Sequence, residues 1–201
     1  MNGKQIPATN LMATYNTSGL GFGRHFVVAL SFYPGKTTKS RGSFEIFPTE
    51  KATIYGYKII NTYPHDSTAY TQGLEYYNGF LYETTGRRGQ SSLRKVEITT
   101  GKVLQKIALA NKYFGEGMTI INDKIHWLTW QNKKGFTYDL ETFKQEKTFK
   151  YGESKEGWGL THNETELIKS DGTHKIWFLN PETHEEKRSI QVYTKGRALD
   201  N

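Results

Sequence analysis

A glycine followed by an apolar residue recurs three times in this chain, at Gln72-Gly73-Leu74, Glu116-Gly117-Met118 and Trp158-Gly159-Leu160, with the glycines 44 and then 42 residues apart. Each is followed by a short apolar run (Phe80-Leu81-Tyr82, Ile125-His126-Trp127-Leu128, Leu167-Ile168) and then by a second (Leu93 to Val96, Phe136 to Tyr138, Ile176 to Leu179). A polar turn closes each unit, at Glu97 to Gly101, Asp139 to Thr142 and Asn180 to Thr183, spaced 42 and 41 residues. A period in the low forties with several short strands per unit is that of a β-propeller blade. A helical repeat of that length would need 3.6-residue stripes over ten or more positions, and none is present. The fold class expected is therefore all-β, a propeller with about three blades over residues 63–193. An irregular β-sandwich is the competing architecture. A single blade cannot cover both of its faces, so blades must stack.

Composition agrees. Aromatics make up 14% of 201 residues, with 13 Tyr, 11 Phe and 4 Trp, and 20 Gly supply turns; aromatic and β-branched side chains suit strands. The net charge is +7, but the basic residues are scattered beyond pairs such as Arg87-Arg88 and Lys133-Lys134, which argues against a nucleic-acid partner. No apolar run is long enough for a membrane span. The longest, Phe26 to Leu30, reads as a buried strand. There is no Cys. Met1 is followed by polar residues, and no signal peptide is expected. Residues 1–54 form a distinct β-rich extension: a strand from Arg24 to Phe32, a turn at Pro34-Gly35, a strand from Ser43 to Phe47, and a linker from Pro48. Residues 55–201 are expected to be a partial propeller domain.

Residues at one repeat phase converge on the axis of a propeller. Here they are Gln72, Glu116 and Trp158: an amide, a carboxylate and an indole. Such unlike groups are what a site assembled from several blades requires, although solvated residues at a channel mouth would look the same. Glu116 lies between two glycines and behind Tyr113 and Phe114; aromatic walls would raise its pKa by desolvation and suit it to proton transfer. Trp158, between glycines, is poorly supported for packing and suggests a ring offered to a ligand, and Trp130 follows the alternation of its strand. Trp127 and Trp177 lie in apolar strands and are expected in the core. Asp171, in an expected Ser170-Asp171-Gly172 turn, could reach the same space. The six His have no metal-ligand spacing on one element. Gly19-x-Gly-x-Gly23 lacks the strand and helix of a dinucleotide loop.

Several segments resemble the plant and bacterial glutaminyl-peptide cyclotransferases: Tyr63-Pro-His-Asp66, Ala69-Tyr-Thr-Gln-Gly-Leu74, Leu81-Tyr-Glu-Thr-Thr-Gly86, Gln90-Ser-Ser-Leu-Arg-Lys-Val96, Tyr113-Phe-Gly-Glu-Gly117, Leu128-Thr-Trp130, Gly157-Trp-Gly-Leu160 and Ser170-Asp-Gly172. They occur in the family's order over residues 57–195. The resemblance implies a five-bladed propeller that needs no metal and no cofactor, and that converts N-terminal glutamine of peptides or proteins to pyroglutamate with loss of ammonia. It implies Glu116 as the acid and base, Gln72, Trp130 and Trp158 around the substrate, and Tyr70 in the aromatic wall. Arg88 and His126 stand where relatives carry aromatics. The family continues for two further blades, so the chain is expected to be incomplete at its C-terminus. A non-catalytic binding module, or an inactive fragment of the enzyme, is the alternative. Relatives with such an extension are typically exported, which implies a periplasmic or cell-envelope location.

Overall fold

A computed structural model describes residues 6–10, 12–194 and 197–199. The described residues contain sixteen strands and no helix, and so no helix long and apolar enough to cross a membrane. They fall into two compact units. One comprises residues up to Ile54 together with Tyr193–Leu199; the other is Tyr55–Val192.

The larger unit holds three four-stranded antiparallel sheets. The first runs β3 (Thr71–Tyr77), β4 (Phe80–Thr85), β5 (Ser92–Val96) and β6 (Val103–Ala108). The second runs β7 (Gly115–Ile121), β8 (Lys124–Thr129), β9 (Lys134–Asp139) and β10 (Gln145–Lys150). The third runs β11 (Leu160–His162), β12 (Leu167–Ser170), β13 (Lys175–Leu179) and β14 (Glu186–Gln191). In every sheet, strands consecutive in sequence are neighbours in space. This is the blade meander that the period of the sequence predicted.

Turn chemistry fixes the hairpins. Asn78-Gly79 and Asn122-Asp123 both take positive φ at their two positions, 46° and 87° in one and 54° and 56° in the other. That is the two-residue turn whose twist matches the flanking strands. The three polar turns before β6, β10 and β14 also share one geometry. Gly101, Phe143 and His184 each donate a backbone N–H back to Glu97, Asp139 and Asn180, and each has φ between 54° and 70°. The two non-glycine residues in that strained region turn their side chains inward. Phe143 enters the core between the first and second sheets. His184 stacks on Phe149 at 3.8 Å and hydrogen-bonds His126 at 2.9 Å. Burial first, then neighbouring positive charges, push His126 down to about 3 and His184 to about 4, so the pair is neutral packing rather than a charge store.

Alternation along β8 decides which face each side chain covers. Ile125 and Trp127 join Tyr82, Leu93 and Met118 against the first sheet. Leu128 packs with Phe149 and Tyr151 on the opposite side, while Ile121 joins Leu167, Trp177 and Leu179 of the third sheet. The second sheet is therefore covered on both faces, and all of β7 is buried. Trp127 and Trp177 are core residues, as the sequence indicated.

In the smaller unit, β1 (Gly23–Tyr33) and β2 (Lys36–Ile46) form one long hairpin about Pro34-Gly35. Tyr193 of β15 (Tyr193–Thr194), which pairs with β16 (Arg197–Ala198), packs against Phe22 and Phe47. The run Phe26 to Leu30 corrects one expectation: it is a strand, but not a buried one, and Phe26 is 70% exposed. A two-stranded ribbon has two faces and only one neighbouring strand, so apolar character alone does not bury it.

Candidate functional site

The repeat phase that carries Gln72 and Glu116 coincides with a β-bulge in the first and second sheets. Thr71 pairs with Thr85 and Gly73 with Thr84, which leaves Gln72 as the extra residue. Likewise Gly115 pairs with Thr129 and Met118 with Trp127, so Glu116 and Gly117 share a single opposing residue. A bulge re-aims the side chain it carries. Both side chains leave the regular alternation and meet: Gln72 donates through Nε2 to Oε2 of Glu116 at 2.5 Å. The Glu116 main chain is fixed as well, its carbonyl accepting from the Thr84 hydroxyl at 2.7 Å.

The third sheet closes against the second at the same level. Gly117 donates its N–H to the Trp158 carbonyl at 2.8 Å. A Cβ on Gly117 would stand 2.6 Å from the Leu160 nitrogen, so only glycine permits this approach of two backbones. Trp158 donates its own N–H to the Ser170 carbonyl, and its ring lies across Gly172, whose φ is +74° and whose place no Cβ could fill without meeting the indole at 2.8 Å. Trp130 stands directly after β8. Its N–H bonds the Phe114 carbonyl and its carbonyl accepts from Gly157.

Aromatic rings gather about Phe114, two residues before the acid. Phe114 meets Trp130 edge to face at 5.6 Å and Tyr70 at 6.2 Å, and the Arg87 guanidinium lies 4.6 Å over the Tyr70 ring. Tyr70 and Trp158 are 46% and 42% exposed, whereas Glu116 is only 8% exposed. Burial raises Glu116 most, the Gln72 hydrogen bond opposes it, and the charge of Glu156 adds to the rise; the result is about 7. A carboxyl poised there can give and take a proton at neutral pH.

Glu156 is the residue that sequence reasoning passed over. Its Oε2 accepts from the indole N–H of Trp130 at 2.8 Å and from that of Trp158 at 2.9 Å. One signal for it existed: Tyr70, Phe114 and Glu156 each lie two places before the repeat-phase residue, so a carboxylate stands where the other two units have an aromatic.

Of the side chains singled out from sequence, Gln72 and Glu116 are joined directly, Trp130 and Trp158 are joined through Glu156, and Tyr70 joins through Phe114. Asp171 differs. It is 1% exposed and its carboxylate is occupied inside the fold: Oδ2 accepts from the Lys155 N–H at 2.9 Å and the Trp177 indole at 2.8 Å, while Oδ1 accepts from the N–H and hydroxyl of Thr173. It anchors the loop that carries Glu156. Among the described residues, no three His, Asp or Glu side chains gather as a metal-binding group.

Consecutive four-stranded meanders define a β-propeller, and the side chains that meet beside their first strands make a candidate site. The family model described as glutamine cyclotransferase matches residues 27–201, and the chain belongs to that family. It is 42% identical over 143 residues to glutaminyl-peptide cyclotransferase of Arabidopsis thaliana, covering 71% of this chain and 44% of that protein. The crystal structure of Myxococcus xanthus glutaminyl cyclase superposes with a TM-score of 0.64 at 31% identity, over 71% of this chain and 60% of that one. The Neurospora crassa Pan2 WD40 domain, at 12% identity and a TM-score of 0.50 over 60% of this chain and 36% of that one, shares the fold alone. The chain spans less than two thirds of the length of both cyclase relatives.

Proposed function

We propose that this protein is a glutaminyl-peptide cyclotransferase, acting on peptides and proteins that begin with glutamine. The observation that carries the reading is Glu116: a buried carboxyl with a pKa of about 7, held by Gln72 and preceded by Phe114, on which Tyr70 and Trp130 pack. The α-amine of the substrate attacks the carbon of its own γ-carboxamide. A C–N bond forms and closes a five-membered ring. Glu116, as carboxylate, takes the proton from the amine nitrogen. As carboxylic acid it returns that proton to the amide nitrogen, the old C–N bond breaks, and ammonia leaves. Glu116 ends as it began. Because both reacting groups belong to one residue, holding the side chain folded back removes most of the entropic barrier. The rings of Tyr70, Phe114, Trp130 and Trp158 supply that shape and exclude water.

The reading extends to a periplasmic or cell-envelope location, on the resemblance of residues 1–54 to the extension of exported bacterial relatives. Nucleic acid is not among the proposed partners.

The test is a peptide beginning with Gln, beside the same peptide Nα-acetylated. We expect one ammonia released per free peptide, a product lighter by that ammonia, and no change in the acetylated form. No release above the spontaneous rate from the free peptide would remove the proposed activity.

A further inference from the structure

Two indoles meet at Glu156, the carboxylate whose charge acts on Glu116. Their backbones are fixed. Trp130 is tied by its N–H to Phe114 and by its carbonyl to Gly157; Trp158 is tied to Ser170 and to Gly117. What the backbone leaves open is rotation of each ring about its side-chain bonds. For Trp158, 42% exposed, solvent offers little resistance to that rotation. An indole has one donor, its Nε1–H. Here both donors point at the same atom, Oε2 of Glu156, from 2.8 and 2.9 Å. Swinging either ring breaks one of the two bonds, and bonds to a carboxylate are the stronger kind.

We propose that Glu156 is the positioning residue of this site: one carboxylate oxygen, shared by two indoles on neighbouring sheets, sets the separation and tilt of the rings that flank the substrate side chain. The inference rests on the cyclotransferase reading for its purpose, although the bridge itself can be measured without turnover. Glu156 is in turn held from behind. The N–H of Lys155 is bonded to Asp171, and Gly157 is bonded to Trp130, so the residues on either side of Glu156 are both anchored. This gives the buried Asp171 a place in the same device.

A second consequence concerns charge. Besides burial, the groups that act on Glu116 are the neutral Gln72 donor from β3 and Glu156 from the loop before β11, while the Glu116 charge in turn raises Tyr151, which follows β10. Glu156 adds a negative charge and so helps to keep Glu116 protonated. Geometry and charge can be separated by two substitutions. Glu156→Ala removes both. Glu156→Gln keeps an oxygen able to accept from both indoles and removes only the charge.

The experiment reads the four Trp Nε1–H resonances by ¹⁵N NMR, and Michaelis parameters across pH, in the native protein and both variants. Glu156→Ala should move two indole resonances and raise KM about tenfold to a hundredfold, as loss of hydrogen bonds to a charged acceptor implies, with a smaller fall in kcat. Glu156→Gln should return both resonances toward their native positions, recover most of the affinity, and shift the midpoint of the kcat/KM profile to lower pH. Unmoved indole resonances in Glu156→Ala would overturn the proposal, and so would a Glu156→Gln variant with the KM of Glu156→Ala and the native pH profile. Absence of turnover in the native protein would remove the cyclotransferase reading, while the resonances would still decide the bridge.

Discussion

Glu116 and Asp171 are both buried carboxyl groups, at the ends of neighbouring sheets, and their electrostatic fates are opposite. Burial works against ionisation at each. At Asp171 it is outweighed by bonds from Thr173, Lys155 and Trp177, which leave the group below its ordinary value. At Glu116 the single bond from Gln72 is too little, and the charge of Glu156 adds to the burial. Burial alone therefore does not mark a catalytic carboxyl. The number of donors aimed at it decides whether it is an anchor or an acid. The one with fewer partners keeps a proton to exchange; the one with more holds the chain.

That contrast can be broken by exchanging the properties that define it. The largest effect is expected from Glu116→Gln, which keeps an acceptor for Gln72 but cannot carry the proton. The turnover of Gln-initiated peptide should fall about 10²–10⁴-fold, with the thermal midpoint at neutral pH unchanged or raised. A variant retaining full turnover would take Glu116 out of the chemistry. Asp171→Ala should do the reverse in kind. It strands the donors of Lys155 and Trp177, so stability falls by about 2–4 kcal/mol, as for other broken buried hydrogen-bond networks. Urea unfolding measures it, and an unchanged midpoint would show that Asp171 anchors nothing.

The smallest effect sharpens the comparison by pH. Glu116 is favoured as the acid in the folded state, since its pKa rises from 4.5 to about 7. Its contribution to stability is complete below 4.5, declines as pH rises, and is lost above about 7. For a group still in partial contact with solvent this amounts to roughly 1–3 kcal/mol. Asp171 has the opposite sign: its contribution is present above 3.8 and is lost as pH falls through its lowered value. Between pH 4.5 and 6.5 the buried neutral His126 and His184 add stability with rising pH in any variant that keeps them, so the Glu116 contribution is read as a difference: the stability of the native protein relative to Glu116→Gln should fall as pH rises from 4.5 to about 7. An identical slope in both would contradict the burial assigned to Glu116.

Much of the larger unit was legible before any coordinates. The first three strands of each sheet carry apolar or alternating runs, and the polar turns fall at fixed intervals. The fourth strands, β6, β10 and β14, were not read individually. They lie at the outer edges of their sheets, and segments such as Gln145–Lys150 are largely exposed and hold too little apolar pattern to be distinguished from a loop. The hairpin errs in the other direction. Phe26 to Leu30 has the composition of a buried strand but is exposed among the described residues.

The sequence by itself determined the blade period and the presence of an acid between glycines behind aromatics, because a repeat and its turns are local patterns along one dimension. Only the tertiary structure decided where the unlike side chains of that phase point. Bulges aim Gln72 at Glu116 across 44 residues, one oxygen of Glu156 gathers indoles from two sheets, and the bonds of Asp171 turn it inward. Those outcomes depend on which donors lie within hydrogen-bonding reach of each carboxyl, a distance that exists only once the sheets have stacked.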